Sequence, residues 1–135
     1  MEQTHNKAAV QRFNREVIER GDAAAFRALV AETFVNRSAP PGSDGRDGMW
    51  AFFASLRPAL TDLRVEVHDL VAEGDRVATR KTIRGRHTGA LFGVPATQEE
   101  VAIEVIDLVR LEGGQYVEHW GQTDLPAVLG RLAAR

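Results

Sequence analysis

Gln115-Tyr116-Val117-Glu118-His119-Trp120-Gly121-Gln122-Thr123-Asp124 follows the turn Glu112-Gly113-Gly114, and the run before it, Val101 to Leu111, is rich in β-branched residues. Two such runs about a short glycine-containing loop predict a β-hairpin. Alternate residues of a strand share a face, so Glu118, Trp120, Gln122 and Asp124 are expected on one side. Val117, His119 and Thr123 are expected on the other. A face carrying two carboxylates, an indole and an amide makes a poor core but a good wall for a ligand pocket. The chemistry is therefore sought on this strand.

Upstream of the hairpin the same period of two recurs. Leu63, Val65 and Val67 alternate with Arg64, Glu66 and His68, which predicts a half-buried strand. Glu73-Gly74-Asp75 makes a turn, and Arg76 to Arg86 reads as a second strand with Val77, Thr79, Lys81 and Ile83 at alternate positions. His87 to Pro95 reads as a loop. The third and fourth long strands run from about Glu100 to Leu111 and from Tyr116 to Asp124. Leu125 to Leu132 closes the chain as a short helix with Pro126 in its first turn.

The first half has the helical period. Val10, Phe13, Val17 and Ile18 share a face with charges between them, predicting an amphipathic helix that Gly21 stops. Asp22 is placed to cap a second helix, Ala23 to about Ala31. Phe34 and Val35 read as a short strand ending at Asn36. Ser38 to Gly45, with two prolines and two glycines, is a loop suited to a pocket rim or lid. A third helix, capped by Asp44 or Asp47, carries Met49, Trp50, Phe52, Phe53 and Leu56 and ends at Pro58.

Helices first, then a meander of long strands, predict an α+β fold of one domain over 1–135. Strands this long must twist and curl, so the sheet is expected as a curved, cone-shaped antiparallel sheet closed by the three N-terminal helices. The pocket would lie between helices and sheet. The convex face would still need a cover, and a second copy of the chain, a homodimer, is the expected one.

The composition is that of an ordinary globular chain: 135 residues, 44% hydrophobic and 27% charged. A formal net charge of −2 gives no basic surface for nucleic acid or anionic membrane. Having no cysteine excludes disulfides and thiolate chemistry. The N-terminus lacks the apolar core of a signal peptide, and no apolar run approaches bilayer length, so a cytoplasmic protein is expected. No histidine pair with a nearby carboxylate has zinc-like spacing, so no metal is expected.

Several side chains are candidates for a site, each with a structural alternative. Trp120 and Gln122 are expected to line the pocket. Glu118 shares their face, although an ion pair with Arg110 competes for it. Asn36, ending the first strand beside the proline-glycine loop, is placed to polarise a substrate carbonyl. Trp50 or Phe53 on the aromatic helix lines the pocket or serves the core alone. His87 either faces the substrate as donor or acceptor or holds a turn. His119 is expected at a structural position or a subunit contact.

A series of motifs carries a resemblance. Gly45-Arg46-Asp47-Gly48 before the aromatic helix, Thr61-Asp62-Leu63-Arg64-Val65, Glu73-Gly74-Asp75-Arg76-Val77-Ala78 and His87-Thr88-Gly89 resemble the SnoaL-like polyketide cyclases. So do Phe92-Gly93-Val94-Pro95-Ala96-Thr97, Ile106-Asp107 and Glu118-His119-Trp120 with Asp124. These belong to the larger family sharing the nuclear transport factor 2 and ketosteroid isomerase fold. The resemblance implies an α+β cone with a deep apolar pocket, usually homodimeric. It also implies cofactor-free aldol chemistry on an apolar polyketide or related carbonyl substrate. One aspartate would act as general acid and base, and the matching position is Asp124. A carboxylate in a dry pocket is made more basic, as removal of an α-proton requires. The chain departs from the pattern at Ile106 and Leu108, where the cyclases place polar partners, at Gln98, and at Gly85-Arg86. Within the same resemblance lie polyketide ring hydroxylases, and a non-catalytic binding protein with the same cone is the rival class.

Overall fold

The structure is a computed structural model and describes residues 2–135. Helix α1, Glu2–Arg12, runs straight into a π-helical segment, Phe13–Glu19. The wide winding keeps Phe13, Asn14, Val17 and Ile18 together on the buried side. Gly21 then turns the chain with φ +68°, where a Cβ would strike the Arg57 guanidinium. Asp22 caps α2, Ala23–Leu29, by accepting the amides of Ala24 and Ala25 at 2.9 and 3.1 Å. Val30 leaves helical geometry and opens β1, Val30–Asn36, a longer strand than the sequence predicts.

The loop after β1 folds back on it, the Asn36 amide donating to the Asp44 carbonyl at 2.7 Å. Helix α3, Arg46–Leu56, has Gly45 at its N-cap, and neither Asp44 nor Asp47 makes a capping bond. Asp47 instead sits in the first turn, where a carboxylate favours the helix dipole. Gly48 is required by close approach: a Cβ there would lie 2.0 Å from the Ser43 carbonyl oxygen. A 3-10 turn, Arg57–Ala59, containing Pro58, ends this helical region.

Four long strands follow: β2, Leu60–Glu73; β3, Arg76–His87; β4, Glu100–Glu112; and β5, Gln115–Thr123. They form an antiparallel meander, and the sheet order is β1-β5-β4-β3-β2. β1 joins parallel to β5, so the sheet is mixed rather than wholly antiparallel as the sequence predicts. Register shifts interrupt β2–β3 at Thr61/Arg64 and Val67/Asp69, and β4–β5 at Arg110/Leu111. Each extra residue bends its strand and increases the twist, which curls the sheet. Val67 is 40% exposed on the edge strand β2, where the sequence pattern had placed it inward.

Val17, Ile18, Val30, Phe34, Leu56, Val77, Val109 and Leu111 fill the space between the helices and the concave face. Helix α4, Leu125–Ala133, buries Val128 and Leu132. Among the described residues no helix is long and apolar enough to cross a membrane. The α+β cone expected from the sequence is what the chain forms.

Candidate active site

A cavity of about 530 Å³ opens between the concave face and the helices. That volume suits a molecule of a few fused rings. Phe13, Met49, Phe52, Phe53, Leu56, Ile83, Ile103 and Val105 make its apolar wall. The proline-glycine loop supplies Ser38, Ala39, Pro40 and Ser43 at the rim.

One wall is polar. Lys81 on β3, Asp107 on β4, His119 on β5 and Asn36 on β1 all face the cavity. The register explains the cluster. Asp107 stands opposite Thr79 on one side and Gly121 on the other, so Lys81 and His119 are its diagonal neighbours on the same face. Long side chains span such diagonals. Lys81 Nζ lies 3.2 Å from Asp107 Oδ2, and His119 Nε2 lies 3.9 Å from the same oxygen. Asn36 is directly opposite His119 in the parallel pair and meets its Nδ1 at 2.9 Å.

This geometry fixes the imidazole tautomer. Asn36 Oδ1 also accepts the Ser38 backbone N–H at 3.0 Å, so the amide oxygen is on that side. His119 Nδ1 must then carry a hydrogen and donate it. In the neutral ring Nε2 is left as an acceptor, pointing at a carboxylate too far away for a hydrogen bond. Two acceptors facing each other across 3.9 Å invite a proton-bearing group between them.

Burial by itself would raise the Asp107 carboxyl, but the Lys81 ammonium and His119 outweigh it and hold the group below its ordinary value. Asp107 is therefore an anion near neutral pH, and a weak base. Burial, with the charge of Asp107 added, pushes the Tyr116 phenol well above its ordinary range, so it stays a neutral donor on the cavity wall. Tyr116 stacks on Phe13 at 4.6 Å.

Of the residues singled out in the sequence, Asn36, Gln122 and Phe53 line the cavity. The others lie elsewhere. Asp124 is off the cavity wall, although Thr123 and Leu125 beside it are on it. Its carboxylate accepts the Glu104 amide at 2.8 Å and so prolongs the β4–β5 ladder. His87 is wholly buried at the end of β3, its Nδ1 accepting the Thr97 backbone N–H at 3.2 Å. Trp50 packs on Phe26 and beneath the Arg57 guanidinium. Glu118 pairs with Arg110 at 2.6 Å and Arg37 at 2.8 Å, and these two cations hold its carboxyl below the ordinary value. Trp120 is opposite Leu108 on the convex face. Glu118 and Trp120 share a face and His119 takes the other, as the alternation predicts, but the charged face is the outer, solvated one. His119 and Gly121 pair with Val109 and Asp107 on the cavity face of β4, and the register shift at Arg110/Leu111 brings Tyr116 to that side as well.

Asp107 and Lys81 were not singled out as site residues. The signal was present, because Val101, Ile103, Val105, Asp107, Val109 and Leu111 share one face of β4. A single carboxylate in that apolar series needs a buried partner. Among the described residues no three His, Asp or Glu side chains converge where a metal ion could sit.

The fold and the polar cluster together define a small α+β cone whose cavity between helices and sheet has a titratable wall. A family model described as SnoaL-like polyketide cyclase matches residues 8–132, and the chain belongs to that family. No curated protein matches it in sequence. Among solved structures it is similar to TsrD from Streptomyces laurentii, at 25% identity and TM-score 0.87, covering 100% of this chain and 99% of that one. It is also similar to a candidate SnoaL-like polyketide cyclase from Jannaschia sp. CCS1, at 27% identity and TM-score 0.84, covering 98% and 94%. AclR from Streptomyces galilaeus, a candidate hydroxylase, matches at 26% identity and TM-score 0.83, covering 98% of each chain.

Proposed function

We propose that this protein carries out cofactor-independent acid/base chemistry of the polyketide cyclase type on an apolar carbonyl compound. The observation that carries the reading is the Asn36–His119–Asp107 relay on the wall of an otherwise apolar cavity. Imidazole is the side chain suited to exchanging a proton near neutral pH. His119 Nε2 takes the α-proton of the substrate, Asn36 holds the ring in the tautomer that leaves Nε2 free, and Asp107 stabilises the imidazolium. The carbanion attacks an internal carbonyl, and the proton returns from Nε2 to the new alkoxide. The role assigned to Asp124 by resemblance passes to His119 in this reading, with Asp107 as its charged partner.

The test is hydrogen–deuterium exchange at the α-carbon of α-tetralone, an apolar bicyclic ketone, followed by NMR. The wild type should accelerate exchange, and His119→Gln should remove the acceleration by roughly a hundredfold or more, the usual worth of a positioned base. Equal exchange in both would overturn the reading. Likeness to AclR favours a second option, a part in hydroxylating a polyketide ring. A binding protein without turnover would hold the ketone and exchange nothing.

The proposal includes a homodimer through the convex face. Val71, Ala78, Leu108 and Trp120 form a cross-strand apolar row there, with Ile106 beside it. Val71 is 62% and Ile106 58% exposed, more than an apolar β-branched side chain on a sheet normally is.

A further inference from the structure

Lys81 is an unusual wall residue. Lysine is almost never buried unless paired, and here it is 5% exposed. A buried ion pair is rarely the cheapest way to stabilise a fold, since apolar side chains of like size do as well or better. This pair also lies on the cavity wall rather than in the packed core. Among the described residues, Lys81 is the only Lys or Arg side chain on that wall and Asp107 the only carboxylate.

The ammonium has three N–H donors. One goes to Asp107 Oδ2 and a second to Asn14 Oδ1 at 2.9 Å. Asn14 is presented by the π-helical segment, a winding often found where a helix serves a site. It is neutral, so it orients Lys81 without cancelling its charge. The third donor remains for whatever occupies the cavity.

We propose that Lys81 is a substrate-contacting catalytic residue whose ammonium receives the negative charge that develops on the substrate's carbonyl oxygen. The inference rests on the acid/base reading above and deepens it. When the α-carbon–hydrogen bond breaks, the proton goes to His119 Nε2 and the electron pair moves through the new carbon–carbon double bond onto oxygen. Before that step the site holds Lys81⁺, Asp107⁻ and a neutral imidazole. After it the site holds Lys81⁺, imidazolium, Asp107⁻ and enolate. The total is zero in both states, which a poorly solvated cavity favours. Without Lys81 both states would carry a net negative charge, and the second would set two anions, Asp107 and the enolate, against a single cation. Tyr116 adds a neutral donor but no cation. The substrate class follows: an enolisable, apolar ketone or ester, uncharged on arrival, since a carboxylate would occupy Lys81 before any chemistry. Asn14 is then a positioning residue.

The probe is 2-naphthol, an apolar two-ring molecule whose ionised form is an enolate mimic with its own absorbance and emission. In the wild type the ratio of bound naphtholate to bound naphthol should exceed the free ratio at the same pH by at least about tenfold, one unit of apparent pKa. Lys81→Met alone leaves Asp107 buried without its cation and can fail to fold. The Lys81→Met/Asp107→Asn double variant removes both charges together and avoids that problem. It should bind 2-naphthol as the neutral form. Asp107→Asn alone should raise the ionised fraction, because it removes the competing anion. Asn14→Leu should lower the fraction while leaving affinity for naphthalene, which has no hydroxyl, unchanged.

Wild-type ionisation persisting in the double variant would overturn the role of Lys81. So would a wild type that binds the probe only as the neutral form, or not at all. Naphthol binding breaks no carbon–hydrogen bond, so its outcome is independent of whether His119 acts as a base. The α-tetralone exchange decides that separately.

Discussion

His119 Nδ1 and Asn36 Oδ1 lie 2.9 Å apart across the only parallel pairing in the described sheet, and the Ser38 amide on the same oxygen makes the imidazole the donor. A loop residue thus sets which ring nitrogen is free. The Arg37 amide also donates to the His119 carbonyl at 2.7 Å, so backbone and side chain are held together. Asn36→Ala should leave the cavity intact while freeing the ring to rotate and change tautomer. α-Tetralone exchange is expected to fall by about tenfold to a hundredfold, with the fold unchanged by circular dichroism, since orientation of a base is worth part of its full effect. Asn36→Asp, which keeps an acceptor at the same place, should retain more activity than Asn36→Ala.

The charge of Asp107 predicts how stability depends on pH. Its carboxyl in the folded state is held below the ordinary value, against the pull of burial. In the window between the folded and unfolded values the unfolded chain binds more protons. Stability therefore rises with pH there. The contribution is fully present above the unfolded value, about pH 4, and is lost as pH falls through the folded value. Asp107→Asn should flatten this part of the profile in urea titrations run from acid to neutral pH. At neutral pH it should also cost about 3–5 kcal/mol, because Lys81 is left buried and uncompensated. A slope unchanged by the substitution would contradict the assignment.

Asp124→Asn separates the relay from the residue that resemblance favours. The amide keeps an oxygen for the Glu104 N–H, so stability should change by less than about 0.5 kcal/mol. Exchange should stay within about twofold of wild type if His119 is the base, against the roughly hundredfold loss expected on removing a true general base. A large loss would return the proton traffic to Asp124.

What was legible in the sequence follows from what each signal depends on. The helix capped by Asp22, the turn at Gly113-Gly114 and the alternation along β3 and β4 depend on near neighbours, and these elements lie where their residues predict. The alternation along β5 is also as its residues predict, but which of its two faces meets the cavity depends on the register with β4, where His119 and Gly121 pair with Val109 and Asp107 on the apolar face. Asn36 could be selected because it ends a strand next to a rigid loop. Its partner could not, because the parallel pairing joins residues 83 apart. Lys81 and Asp107 were both visible as charges on apolar faces, but only the β3–β4 register shows that they meet.

The convex row gives a separate expectation. Ile106→Glu places a charge beside it, where a second copy of the chain would have to bury it. Sedimentation at micromolar concentration should show the wild type at twice 14.8 kDa and the variant as a single chain of that mass. Ile106 faces away from the cavity, so α-tetralone exchange per chain should be retained. A wild type that sediments as one chain would refute the dimer.

Gly121 supplies the most exacting test of the relay, because it tests the space around the ring and leaves every functional group in place. It stands opposite Asp107 in the β4–β5 ladder, and a Cβ built there would lie 2.7 Å from His119 Cε1 and 3.7 Å from Asp107 Cβ. No flexible side-chain end can absorb the nearer contact, since the ring is tied at Nδ1 to Asn36. Gly121→Ala must therefore push the imidazole away from the carboxylate or shift the strand. Overpacking of this kind costs about 1–3 kcal/mol. Exchange should fall by at least about tenfold while 2-naphthol still binds and still ionises, because Lys81 stands on β3, across β4 from the substituted strand. If exchange survived in a variant whose thermal unfolding confirms the strain, the position of the ring over Gly121 would have no part in the chemistry.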